Sequence, residues 1–196
     1  MEAESPSVLR PPLALRHWVF IGSVVALDFA FGMVFKGLLH ASGIAGVIRL
    51  DRIVPVLLLM LTRLIVDRFG VLTAYQLCWG LLALVAFHGG ALPGPLRLIP
   101  LVAQGLLYDV SFSALRRLPR GRVFVAAMAG GFVSSVISTT LRVLVLGLPW
   151  SAVTKAMFGV QACTSLLVNG AAAGLALLIW SRIRSLQITA MLRAAP

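Results

Sequence analysis

The chain has 196 residues, 60% of them hydrophobic, with a mean hydropathy of +1.00 and a formal charge of +11. These values exclude an ordinary soluble domain and mark an integral membrane protein. The charge does not point to nucleic acid, because the arginines stand mostly at the ends of apolar runs, where membrane topology accounts for them.

Residues 1–16 form an N-terminal tail with three prolines and two acids. The apolar run from His17 to Leu39 is about twice as long as a signal-peptide core, so it reads as a first membrane helix that is retained, Trp18 to Leu39. Gly22, Ala26 and Ala30 recur every four residues and form a small-residue stripe, suited either to this chain's own bundle or to a partner helix. Asp28 falls on another face, near mid-membrane.

A loop, His40 to Arg52, leads to a short second helix, Ile53 to about Arg68. Arg63 and Asp67 are four apart and are predicted to pair, with Asp28 in reach of Arg63. Phe69 and Gly70 make an inner turn, and helix three runs from Val71 to about Phe87. The following loop, HGGALPGP, carries no lysine or arginine.

Helix four, Arg97 to about Leu115, ends on Arg116, Arg117, Arg120 and Arg122, which fixes that side as cytoplasmic. Arg97, Gln104, Tyr108 and Ser111 share one face at helical spacing, and Asp109 points elsewhere. Helix five, about Val123 to Leu146, opens with AAMAGG, suited to close helix contact, and then presents Ser135, Ser138, Thr139 and Arg142. After an outer turn, Gly147 to Trp150, helix six is predicted from Ser151 to about Trp180, with Lys155, Gln161, Ser165 and Asn169 on one side.

The predicted fold is therefore an all-α bundle of six membrane-spanning helices, residues 17–182, followed by a tail, 183–196. Eleven of the 17 lysines and arginines fall on the inner side and six on the outer, which places both termini in the cytoplasm of a multi-pass plasma-membrane protein.

The chemistry is sparse. There is no phosphate-binding glycine-rich loop before Lys36 or Lys155, no helical pairing of His17, His40 and His88 to hold a metal, and no nucleophile motif. No cofactor is implied, and the chain reads as a non-enzyme. Cys78 and Cys163 read as small buried hydrophobes. What remains is the set of polar stripes on helices four to six. They serve as helix-to-helix hydrogen bonds or as the wall of a ligand cavity, and the cost of burying Gln104, Arg142, Lys155, Gln161 and Asn169 favours the cavity. The cations suit a carboxylate or phosphate, and Trp150 a ring.

These features resemble the substrate-binding S components of energy-coupling factor (ECF) vitamin transporters. The likeness covers about residues 18–182: six helices, cytoplasmic ends and a small-residue stripe on helix one. IVPVLLLMLTRLIVDRFG and PGPLRLIPLVAQGLLYDVSFSALRR are similar to the subgroup linked to thiamine precursors such as hydroxymethylpyrimidine, with Arg68, Gly70, Gln104, Gly105 and Asp109 in the places of its motif. The resemblance implies a small vitamin-like ligand bound near the outer face and a transmembrane T component meeting Gly22, Ala26 and Ala30. It also implies two cytoplasmic ATPases, with ATP-driven transport done by those partners. The chain begins Met1-Glu2, unlike the Met-His start of cobalt and nickel members, and its few tyrosines and tryptophans disfavour a large stacked ligand. Two rival readings are a membrane scaffold whose polar stripes only join helices, and an intramembrane enzyme using Asp28 or Asp109 as acid or base.

Overall fold

A computed structural model describes residues 13–42, 52–86, 92, 94–115 and 121–193. Every regular element among them is helical: α1 Leu15–Ser42, α2 Ile53–Val66, α3 Val71–Ala86, a 3-10 turn Gly94–Arg97, α4 Leu98–Ala114, α5 Gly121–Leu146, α6 Ser151–Phe158, α7 Val160–Ile183 and α8 Gln187–Arg193. Helices α2, α3, α4, α5 and α7 pack as a closed ring, each on the next, with α1 lying across α2 and α3 and α6 wedged against α5 and α7.

Among the described residues three helices are long and apolar enough to cross a membrane, over Leu15–Val34, Gly121–Leu146 and Ala162–Ile183. The 14 residues of α2 and 16 of α3 are apolar but reach only ~21 and ~24 Å at 1.5 Å per residue, short of a ~30 Å hydrocarbon core. Apolar side chains cover the outside as well as the centre: Leu27, Val85, Val110, Leu144 and Leu178 are all exposed. A water-soluble bundle reverses that pattern, and lipid permits it.

The buried face of α1 is His17, Ile21, Val25 and Asp28. Gly22, Ala26 and Ala30 lie ~145° around the helix from it and are exposed. Among the described residues nothing packs closely on the stripe's glycine: a Cβ on Gly22 would meet nothing within 4 Å.

Two elements differ from the pattern read in the sequence. The last long helix is broken at Gly159, whose ψ of 174° is extended, so that Ser151–Phe158 and Val160–Ile183 are separate helices. A glycine inside a helix weakens it, and the interruption falls at this residue. The segment after residue 183 turns back through Thr189, whose hydroxyl lies within 2.6 Å of the Leu186 carbonyl and 3.1 Å of the Arg184 carbonyl, and continues as α8.

That return brings α8 onto the start of α1. His17 is fully buried; its Nδ1 accepts the Ala14 N–H (3.0 Å), so Nε2 carries the proton and donates to the Leu192 carbonyl (3.0 Å). The start of α1 and the end of α8 therefore share one end of the bundle.

Close backbone approach sets the crossing of α3 and α4. A Cβ on Gly105 would sit 2.7 Å from Thr73 Cα and 2.8 Å from the Leu72 carbonyl, both main-chain atoms that cannot swing aside. Gly105→Ala is expected to cost about 1–3 kcal/mol through overpacking, read as a lowered melting temperature of the detergent-purified protein. An unchanged melting temperature would contradict this packing.

Candidate functional site

The polar residues selected from the sequence separate into two groups. At mid-depth, Gln104 on α4 donates through Nε2 to the Tyr108 hydroxyl (2.8 Å), and its Oε1 accepts the Ser134 hydroxyl of α5 (3.1 Å). Tyr108 is fully buried over Gly130, where any Cβ would collide with its ring. On the neighbouring face of α5, Gly131 receives Asn169 of α7, which is buried and donates to Ser165 (3.4 Å). The AAMAGG stretch thus does what small residues in a membrane bundle do, admitting polar side chains of two neighbouring helices to the α5 surface. Gln104 and Asn169 are occupied by protein partners.

The second group lies toward the α5–α6 end. Arg142 is eight residues beyond Ser134, ~12 Å along the axis. Its Nε is buried and makes no hydrogen bond among the described residues. Thr139 turns its hydroxyl onto the Ser135 carbonyl of its own helix (2.8 Å). Trp150 is 63% exposed in the turn before α6. Lys155 falls on α6 and Gln161 in the first turn of α7; their side chains lie outside the described residues. Gln104 and Asn169 therefore lie apart from Arg142 along the bundle, and among the described candidates Arg142 has a buried donor with no hydrogen bond. Of the two cysteines, Cys78 is half-buried and Cys163 exposed, so the expectation of buried hydrophobes does not hold for Cys163.

The densest polar cluster is at the opposite end of α4, around Asp109. Its Oδ2 accepts the Thr73 amide (3.0 Å) and the Thr73 hydroxyl (2.9 Å), and its Oδ1 faces the Leu72 amide (3.4 Å). The first amides of a helix have no intrahelical acceptor, and α3 obtains one from a neighbouring helix. Gly105, one turn earlier on α4, lets the two backbones come close enough. Arg63 of α2 reaches the same carboxylate, Nε to Oδ1 at 3.6 Å, and holds Asp67 through Nη1 at 3.3 Å. Arg63 and Arg122 both lie over the Phe112 ring, at 5.5 and 5.7 Å.

The Arg63–Asp67 pair is the one expected from spacing. The Asp109 cluster was missed, although Gly105 and Asp109 at i, i+4 with an uncapped α3 start were its visible signs. Asp28 accepts a hydrogen bond from the Tyr75 hydroxyl (2.9 Å) and ties α1 to α3.

Set against known proteins, the chain matches no family model, no curated protein and no solved structure. Its class is defined by fold and composition: among the described residues every regular element is helical, and three helices are long and apolar enough to cross a membrane.

Asp109→Ala would leave the Leu72 and Thr73 amides without this acceptor and remove the Arg63–Asp109 ion pair. Removing one member of such a pair costs about 3–5 kcal/mol. Thr73→Val, which deletes one hydroxyl bond, is expected to cost only about 1 kcal/mol. Chemical-denaturant melts in mild detergent order the two variants, and an Asp109→Ala protein as stable as Thr73→Val would reject this role for the carboxylate.

Proposed function

We propose that the chain binds a small anionic molecule near the α5–α6 end and serves as the substrate-capture subunit of an importer of the ECF kind. In this reading it is a plasma-membrane protein with six crossings and cytoplasmic termini. Its residues bind and do no chemistry, and a T component and two ATPases supply the transport stroke. A vitamin or vitamin precursor carrying a carboxylate or phosphate is the ligand class.

The observation that carries the reading is Arg142. A guanidinium donor inside a membrane bundle is costly to leave unanswered, and such groups mark ligand paths. A carboxylate or phosphate oxygen is the acceptor that suits it. Trp150, Lys155 and Gln161 lie on the adjoining turn and helices. The exposed stripe of Gly22, Ala26 and Ala30 supports the partner half of the proposal, since these small residues are left available for another helix.

One observation favours the scaffold reading: Gln104, Tyr108 and Ser134 satisfy one another, as joining residues do. We therefore assign Gln104 and Asn169 to packing and keep Arg142 in the binding role. Thermal-shift and native mass-spectrometric screening against thiamine, hydroxymethylpyrimidine, biotin, pantothenate and nicotinate tests the division. A ligand present at 100 times its Kd adds about 2.7 kcal/mol of apparent stability. Arg142→Ala is expected to abolish that gain while keeping the unliganded melting temperature, and Gln104→Ala to lower the unliganded value while keeping the gain. Absence of any stabilising ligand would favour the scaffold.

The partner surface has its own test. Ala26→Leu adds bulk to an exposed position, so the isolated chain is expected to melt as before while co-purification with a T component is lost. Undiminished co-purification would remove the stripe from the interface.

A further inference from the structure

Among the described residues, the bundle end where the start of α1 meets α8 carries more basic than acidic side chains. Among the described residues the acids are Asp28, Asp67 and Asp109. Asp28 and Asp109 are buried in the bundle, and Asp67 is held by Arg63. Arg16 at the start of α1, and Arg182 and Arg184 at the end of α7, are exposed. They also lie near one another. Arg16 adjoins His17, which is bonded to Leu192, and Arg184 offers its carbonyl to Thr189, so the two arginines flank the ~10 Å length of α8.

The order of residues across this end is the second observation. On α1 the chain reads Arg16, His17, Trp18 inward; on α7 it reads Trp180, Ser181, Arg182 outward. In each helix a tryptophan stands two residues, ~3 Å, on the membrane side of an arginine. Trp18 is 43% exposed, and on or beside α8 Met191 and Leu186 are also exposed. Tryptophan settles at the headgroup level, and arginine extends past it to phosphate depth while its stem stays with the apolar layer.

We infer that this end is a binding surface for anionic phospholipid headgroups, gathered by Arg16, Arg182 and Arg184 around α8. Guanidinium groups donate paired hydrogen bonds to phosphate oxygens, and charge near the surface draws anionic lipid over zwitterionic lipid. The inference rests on membrane residence alone and is independent of the ligand and of Arg142.

The test is native mass spectrometry of the full chain reconstituted in an equimolar mixture of phosphatidylglycerol and phosphatidylcholine with matched acyl chains. The wild-type chain is expected to retain phosphatidylglycerol several-fold over phosphatidylcholine, with the preference shrinking as salt is raised. In the triple variant Arg16→Gln, Arg182→Gln, Arg184→Gln the two lipids are expected at near parity. The corresponding triple lysine variant keeps the charge, controls for folding and is expected to keep most of the preference. Parity in the wild-type chain, a preference that survives the glutamine changes, or its equal loss in the lysine variant would each overturn the inference.

Discussion

The helix start capped from a neighbouring helix is the constraint on which the bundle is organised. Asp109 gives α3 the acceptors that its own first turn lacks, and it does so from inside α4 with no exposed surface. That contact requires the α3 and α4 backbones to touch, which is why a glycine stands at 105. It also places a carboxylate where it must be answered, and Arg63 of α2 is the answer. One side chain therefore sets the relation of three helices, and Phe112, beneath Arg63 and Arg122, brings in the start of α5.

Away from that end the bundle holds together by small residues and a few hydrogen bonds. Lipid offers helices little hydrophobic reason to associate, so close approach and polar pairing decide the contacts. Gly130 and Gly131 admit Tyr108 and Asn169 to α5, and Gln104 and Ser134 close the gap between α4 and α5. This division gives the polar residues different roles. Those answered by protein hold the bundle, whereas the Nε of Arg142, like that of Arg122, is buried with no hydrogen bond among the described residues.

Much of this architecture is legible in the sequence. Apolar runs between polar, basic or Gly/Pro-rich turns locate α1 to α5 within a few residues, the AAMAGG stretch announces close packing on α5, and the four-residue spacing of Arg63 and Asp67 announces their pair. The rest depends on contacts that local pattern does not carry. Asp109 meets Thr73 across 36 residues, and His17 meets Leu192 across 175. The break at Gly159 is written as one glycine in a run that is otherwise apolar and helical, and a lone glycine is tolerated within many helices. Helical spacing also placed Gln104, Arg142 and Asn169 on inward faces without stating their depth along the axis, so residues ~12 Å apart were grouped as a single site.

The central claim is that Asp109 and Arg63 act as a unit at the foot of α3. A double-mutant cycle of Asp109→Leu and Arg63→Met, read by equilibrium unfolding in mixed micelles, tests it most directly. The expected result is strong coupling: the double variant loses less stability than the two single changes summed, by about 1–3 kcal/mol, because the ion pair between α2 and α4 is lost only once. Strict additivity would mean that the two residues act independently, and the account of how these helices are held together would fail.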